Sequence, residues 1–341
     1  MTKKIITLAL AAMMVFSLAA CSNSGTNYDF DLTEYITLGE YKGIEISKAK
    51  VDEKLAETVE DLLESAATKI VITDRAAKEG DIVNIDFVGK LDGEEIKDEN
   101  GLTPASDESV DVTIGDGAFV EGFEESIVGH LTGDAYTVDI TFPEDYQGTA
   151  LAGKTVAFDI TVNSITEKMV PEYNNDLIKE KTSYDTIPKF EAQILKSIRE
   201  EMVWNALSTS SVVKKYPEEN VKFYYDQTVA QYKQMAGAYG YSFDSFVEAM
   251  MQTSTKTFLQ QVINESKTNV RNEMILHSFI QAESIELTKE VYDSRIGALV
   301  EEYAVKDAKE LEKNYGKEMI ENTMLYDIMI EKLLEYAVEV E

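Results

Sequence analysis

The distribution of glycine divides this chain into two regions that must fold differently. Eleven of its 18 glycines lie between Gly80 and Gly153, and none occurs from Lys154 to Ala236. Glycine supplies the positive φ angles that tight turns need, whereas it weakens the interior of a helix. We therefore predict a strand-and-turn domain over residues 80–167 and a helical domain over residues 170–341.

The first region shows the alternation of apolar and polar residues that is typical of half-buried strands. Strands are predicted over residues 82–88, 110–114, 135–142 and 154–165, with a hairpin turn at Asp92 and Gly93. A short helix is predicted over residues 121–128. Before Gly80, residues 41–47 predict a strand, and a helix with Asp52 as its cap follows it. We treat residues 40–79 as a strand–helix linker segment.

The second region repeats apolar residues at helical spacing. Phe190, Ile194 and Ile198 indicate one helix, which we expect Pro217 to end. Further helices are predicted over residues 218–238, 242–281, 289–303 and 317–338. The predicted fold class is α+β: a small antiparallel sheet wrapped on a short helix, followed by an all-α domain.

The amino terminus has the features of an export signal. Lys3 and Lys4 precede an apolar run over residues 5–20, which is shorter than the about 20 residues that span a bilayer. The run ends in the sequence LAAC at residues 18–21, which resembles the bacterial lipoprotein box, and Cys21 is the only cysteine. The resemblance implies that residues 1–20 are a signal peptide, that Cys21 receives a lipid, and that residues 21–39 form a lipidated start and a flexible stalk. The alternative is an ordinary cleavage site with an incidental cysteine.

The net charge of −31 restricts the partners of the chain. Nucleic-acid binding relies on basic patches, so we expect no nucleic-acid partner. Anionic headgroups repel such a chain, so membrane contact is expected through the lipid anchor only. The predicted location is the extracytoplasmic face of the cell membrane.

The usual catalytic groups are scarce. His130 lies in a GHLTG turn and His277 in a helical apolar pattern, and we interpret both as structural. No glycine-rich phosphate loop and no GxSxG motif occurs. We expect neither a metal site nor a cofactor.

Four separated segments between Gly80 and Ile165 carry a family resemblance. They are GDIVNIDFVG with DGEE at residues 80–89 and 92–95, IGDGAFVEGFE at 114–124, FPEDY at 142–146 and VAFDI at 156–160. Together and in this order they resemble FKBP-type peptidyl-prolyl cis-trans isomerases. These enzymes accelerate rotation about X-Pro bonds, which is slow because amide resonance sets a barrier near 20 kcal/mol.

The resemblance implies a mostly apolar substrate pocket. Its residues would be Phe87, Ile96, Phe119, Val120, Phe123, Tyr146 and Phe158. Phe123 would form the floor, the backbone N–H of Val120 would donate to a substrate carbonyl, and the Tyr146 hydroxyl would hydrogen-bond the peptide. The alternative for each side chain is plain core packing.

The sequence departs from the family pattern at several positions. Ile96 stands where the family usually has phenylalanine, and Lys97 stands where an acidic residue often follows. Residues 98–109 make a longer loop than in trigger factor, and Glu121 replaces a common proline.

The segments that flank the isomerase pattern extend the resemblance to the trigger factor family of chaperones. Their order over residues 40–340 is that of trigger factor, in which the helical half forms arms around unfolded clients. The residues before Gly80 carry no match to the ribosome-docking loop, so we expect no ribosome docking.

The leading hypothesis is a lipid-anchored prolyl isomerase and chaperone that acts on unfolded or proline-containing exported polypeptides. A second hypothesis is a non-catalytic holdase chaperone with a degenerate FKBP pocket. A third is a structural or adhesive surface lipoprotein that reuses the fold.

Overall fold

The computed structural model describes residues 28–96, 105–148 and 150–341, and these form two compact units. The first unit, residues 58–181, is inserted in the chain of the second. The second combines residues before position 58 with residues 182–341. We refer to them as the sheet unit and the helical unit.

The elements follow one another in this order along the described residues. The strands are β1 (Ile36–Thr37), β2 (Glu45–Ser47), β3 (Thr68–Ile72), β4 (Ile82–Leu91), β5 (Glu94–Glu95), β6 (Ser106–Thr113), β7 (Ala135–Thr141), β8 (Thr155–Met169), β9 (Val212–Val213) and β10 (Val338–Val340). The helices are α1 (Lys48–Ala66), α2 (Phe123–Ile127), α3 (Asn175–Lys181), α4 (Ile187–Ser210), α5 (Glu218–Ala238), α6 (Phe243–Met251), α7 (Thr255–Ala282), α8 (Lys289–Glu302), α9 (Ala308–Tyr315) and α10 (Lys317–Tyr336), with a 3-10 turn at Leu32–Glu34.

The sheet unit is built on two long antiparallel strands, β4 and β8. Strands β5 and β6 pair with β4, whereas β3 and β7 pair with β8, all of them antiparallel. The register sets Phe87 opposite Ile160 and Gly89 opposite Phe158, so Phe87 and Phe158 share one face. A Cβ on Gly89 would lie 3.0 Å from the Phe158 ring, so only glycine lets this ring come so close.

Helix α2 covers the apolar face of the sheet. Phe123 and Ile127 of this helix are buried in one cluster with Ile85 and Val162 of the sheet. The predicted strands and short helix of this region are confirmed. The predicted turn is confirmed as well, because Asp92 and Gly93 have φ angles of 55° and 87°, which suit a type I′ hairpin.

Two apolar clusters stand out among the described residues of the helical unit. Val229, Val247 and Phe258 belong to one cluster, which joins α5, α6 and α7. Another joins α8, α9 and α10 through Leu299, Leu311, Ile320 and Met324.

The segment before α1 is part of the helical unit. Strand β1 pairs with β9, and β2 pairs in parallel with β10, so that Ile46 lies opposite Glu339. The strand predicted over residues 41–47 exists, but its partner is more than 290 positions away in the sequence. Alternation within one segment indicates a strand and carries no information about its partner.

Several expectations about helices were wrong. The helix predicted over residues 242–281 is two helices. The first ends at Met251 and is followed by Gln252, which takes a φ of 50°, and the second is capped by the Ser254 side chain, which accepts the Thr257 N–H. Asp52 lies inside α1 and does not cap it. Helix α4 ends at Ser210, seven residues before Pro217, and the helices α3 and α9 were not foreseen.

None of the helices within the described ranges has the length and hydropathy that a membrane span requires.

Candidate functional site

Six aromatic rings form a continuous cluster in the sheet unit. The Phe87 ring stands edge-on to Phe123 and Phe158, with centroids 5.4 Å and 6.0 Å away. Phe123 and Phe158 are themselves perpendicular at 5.2 Å. Phe142 joins the cluster 6.3 Å from Phe158. The structure thus brings together side chains from β4, α2, β8 and the segment after β7.

Phe119 and Phe123 are stacked. Their centroids are 4.8 Å apart and their planes differ by 12°. Phe123 is only 1% exposed, whereas Phe119 is half-buried. Because Phe119 covers one face of the predicted floor, a prolyl ring would contact Phe119 itself or displace it.

Two polar groups next to the cluster are free to bind a ligand. The backbone N–H of Val120 donates to no acceptor within the described part of the chain, although its carbonyl accepts from Phe123 N–H. The Tyr146 hydroxyl also makes no hydrogen bond to a described residue, and this side chain is 37% exposed. Its ring packs edge-on against Phe142 at 4.7 Å. One donor and one hydroxyl beside an apolar cluster can hold a peptide carbonyl.

Ile96 lies at the margin of the cluster. It is half-buried against the core of the sheet unit, and its N–H donates to the Gly89 carbonyl at 3.1 Å. Lys97 and residues 98–104 lie outside the described residues. The last four residues of the predicted long loop, 106–109, belong to strand β6, so the loop is shorter than expected.

Two residues that the sequence did not single out belong to this region. Phe142 connects the Tyr146 ring to Phe158. The carboxylate of Glu124, which is 4% exposed, accepts N–H groups of Gly115, Gly117 and Phe119 at 2.9, 3.2 and 3.0 Å. Burial alone would raise the pKa of Glu124, but these N–H donors outweigh it and hold the pKa below its usual range.

The histidines take part in packing. His130 stacks on Tyr136 at 3.6 Å, and its Nδ1 lies 3.3 Å from Asp134. His277 stacks on Tyr28, and burial lowers its pKa to about 4. Across the described ranges no group of three His, Cys, Asp or Glu side chains is arranged to hold a metal ion. Cys21 lies outside the described residues.

Comparison with known proteins identifies the family of each part of the chain. A family described as FKBP-type peptidyl-prolyl cis-trans isomerase matches residues 73–163, and one described as the carboxy-terminal part of bacterial trigger factor matches residues 160–339. Trigger factor of Staphylococcus carnosus is 30% identical over 336 residues, which cover 93% of this chain and 74% of the relative. Trigger factor of Caldicellulosiruptor saccharolyticus is 31% identical over 318 residues, which cover 89% and 70%.

The sheet unit, with its aromatic cluster, is therefore an FKBP-type peptidyl-prolyl cis-trans isomerase domain. The chain as a whole belongs to the trigger factor family, and it combines this isomerase domain with a helical chaperone domain. The predicted fold class and the predicted enzyme activity are confirmed. The roles of individual residues, the lipid anchor and the location stay predictions.

Proposed function

We propose that the aromatic cluster is the isomerase pocket and that Val120 and Tyr146 hold the substrate there. The observation that carries this proposal is the pair of free polar groups beside the rings. In this arrangement Phe87, Phe119, Phe123 and Phe158 receive the prolyl ring. The Val120 N–H and the Tyr146 hydroxyl then bind carbonyls of the peptide.

Such a pocket needs no nucleophile, because no covalent bond forms or breaks during rotation. The barrier arises from amide resonance, which makes the planar form polar. Water stabilises the planar form more than the twisted one. An apolar site that withdraws the amide from water therefore favours the twisted form. The pocket accelerates exchange to the extent that it binds the twisted amide more tightly than the planar one.

Exchange of an X-Pro peptide, measured by NMR with the soluble chain from residue 22, tests the pocket. Phe123→Ala would remove a fully buried ring and disturb folding, so Tyr146→Phe is the sharper variant. We expect it to lower kcat/KM by about tenfold, the loss typical of one hydrogen bond of about 1–1.5 kcal/mol. Tyr136→Phe is the matched control, because that ring stacks on His130 outside the cluster. Equal kcat/KM values for both variants would show that the Tyr146 hydroxyl does not hold the substrate.

We propose further that the helical unit binds unfolded polypeptides through the end of α5 and α6. Met235, Tyr239, Tyr241, Met250 and Met251 are all exposed there. Methionine side chains adapt to different partners, and tyrosine combines apolar area with a polar tip. Replacing Met250 and Met251 by Ser is expected to weaken suppression of client aggregation, while Met319→Ser on α10, a half-buried position, serves as the control.

The sequence left open a second candidate, a holdase without turnover, because Ile96 stands in place of the family phenylalanine. Membership of the isomerase family supports the first candidate instead. The two candidates separate in one pair of assays. A holdase suppresses aggregation of a proline-free client and leaves X-Pro exchange at the rate in buffer, whereas the isomerase accelerates exchange.

We propose that the protein is exported and anchored by a lipid on Cys21 at the outer face of the membrane, where it assists exported chains. The basic start, the apolar run and the LAAC sequence support this. Two acyl chains suffice for stable anchoring. Labelling with radioactive palmitate in the native cell tests it: the wild type should carry label and sediment with membranes, and Cys21→Ser should do neither. An unlabelled, soluble wild type would refute the anchor.

A further inference from the structure

The segment over residues 115–122, which we call the pocket loop, connects β6 to α2 and carries Phe119 and Val120. It contains no helix and no strand, so its backbone N–H groups need other partners. The destination of each N–H group therefore shows what holds the loop in place.

Nearly every N–H of the pocket loop has a partner within the protein. The Glu124 carboxylate accepts the N–H groups of Gly115, Gly117 and Phe119. The Asp116 side chain accepts that of Ala118 at 2.9 Å. The Glu125 side chain accepts the Gly122 N–H at 2.9 Å, and the Asp116 N–H reaches the Thr113 carbonyl. Among the described contacts, the N–H groups left over in the loop are those of Val120 and Glu121.

A single buried carboxylate, that of Glu124, therefore holds three of the N–H groups of the loop. Both of its oxygens are in use, Oε1 with Phe119 and Oε2 with Gly115 and Gly117. Hydrogen bonds to an ionised acceptor are shorter and about twice as strong as neutral ones. Glu124 fixes the N–H of Phe119, whose ring stacks on Phe123. The next N–H along the chain, that of Val120, has no partner among the described residues.

We propose that Glu124 is a positioning residue for the isomerase reaction. It does not touch the substrate. Through three backbone N–H groups it sets the Phe119 ring and aims the Val120 N–H at the substrate carbonyl. This inference rests on the pocket proposed above.

Substitution by the isosteric amide tests the role. Glu124→Gln keeps the shape but places an NH2 group where one carboxylate oxygen accepted N–H groups, so at least one donor of the loop faces another donor. We expect kcat/KM for the X-Pro peptide to fall by about ten- to a hundredfold, the range for a misplaced donor in an active site. In NMR spectra the amide protons of Gly115, Gly117 and Phe119 should shift, whereas core methyls of Val162 should not.

Asp81→Asn is the matched control for loss of a buried carboxylate. Asp81 is fully buried in the same unit, and its side chain accepts from Arg75 and from the Lys78 N–H, which do not belong to the pocket loop. Its backbone carbonyl accepts the Ile114 N–H next to the loop, and asparagine keeps that bond. We expect it to cost comparable stability and to leave kcat/KM per folded molecule within about twofold. An equal loss of kcat/KM in both variants, or none in Glu124→Gln, would overturn the positioning role.

A second pair of variants covers the case that Glu124→Gln does not fold. Gly117 has a φ of 73° and open space where an alanine Cβ would lie, so Gly117→Ala strains the loop without a clash. Gly129 has a φ of 89° and the same open space, but it lies outside the loop. Gly117→Ala should lower kcat/KM several-fold more than Gly129→Ala, and equal effects would contradict the proposal. A wild type that does not accelerate exchange would instead refute the pocket itself.

Discussion

The two units satisfy their buried carboxylates over very different distances in the sequence. In the isomerase unit, Glu124 accepts from residues five to nine positions away, and Asp81 accepts from residues three and six positions away. In the helical unit, Glu273 accepts the hydroxyls of Tyr28 and Tyr224, which lie 245 and 49 positions away. The first unit thus uses charge to shape loops, and the second uses it to join distant segments.

A second junction of the helical unit has the same character. Glu283 accepts from the hydroxyls of Tyr41 and Tyr336 at 2.6 Å each, and it pairs with Lys42 at 3.0 Å. The Tyr336, Tyr41 and Lys42 donors lower its pKa to about 2. Loss of Glu124 or Asp81 in the isomerase unit therefore disturbs nearby backbone, whereas loss of Glu273 or Glu283 in the helical unit disturbs the attachment of the segment before α1.

The largest expected effect is that of Glu273→Ala. It removes the acceptor of two buried hydroxyl groups at a site that is 1% exposed, so the free energy of unfolding should fall by about 3–5 kcal/mol. Trp204 is the single tryptophan and lies in the helical unit, so its fluorescence in urea reports this unit. Glu219→Ala, at an exposed position of α5, is the control. A loss below about 1 kcal/mol would break the contrast between the units.

Substitution of Asp327 in the helical unit is expected to raise the free energy of unfolding rather than to lower it. Burial, with help from Glu302, raises its pKa to about 6, and Arg295 opposes this only in part. An acid whose pKa is raised on folding loses stability as the pH rises from its unfolded pKa to its folded pKa, here from 3.8 to about 6. Asp327→Asn should therefore raise the free energy of unfolding at pH 8 by about 2 kcal/mol.

The gain from Asp327→Asn should disappear near pH 4, where the wild-type carboxyl is protonated in the folded state as well. Urea titrations at both pH values measure it, with the exposed Glu301→Gln as control. A gain that stayed constant between pH 8 and pH 4 would show that packing, not charge, is responsible.

The smallest expected effects on stability are those of a glycine-to-alanine substitution made once in each unit. Gly93→Ala replaces a turn residue with a φ of 87° and should destabilise the β4–β5 hairpin by about 1 kcal/mol. Gly297→Ala lies within α8 with open space around it and should stabilise that helix by up to about 1 kcal/mol. Hydrogen exchange of the full chain, read by mass spectrometry for β4 and α8, measures both. Shifts of the same sign would contradict the backbone argument.

The sequence predicted the isomerase unit well because its determinants are local. Alternation indicated the strands, Asp92 and Gly93 indicated the hairpin, and the family motifs indicated the rings that the structure brings together. Glu124 was missed because a carboxylate among 63 acidic residues shows no sign of burial in the sequence. The stacking of Phe119 on Phe123 depends on the path of the pocket loop, which Glu124 determines.

The helical unit was less predictable for the same physical reason. Apolar spacing placed α5 and α10 closely, but it ran through the break between α6 and α7, where the serine cap at Ser254 was the overlooked signal. The pairing of β2 with β10 and the buried contact of Tyr28 with Glu273 depend on tertiary structure alone.

The parallel pairing of β2 with β10 sets an order of events during biosynthesis. Ile46 emerges from the ribosome long before Glu339, its partner in the ladder. The apolar core cluster of the isomerase unit is made of residues up to Ile165, so all its members are synthesised long before residue 338. In the helical unit, β2 stays without its partner strand until residues 338–340 are released. This chaperone is therefore itself incompletely folded during most of its synthesis, because β2 is still unpaired.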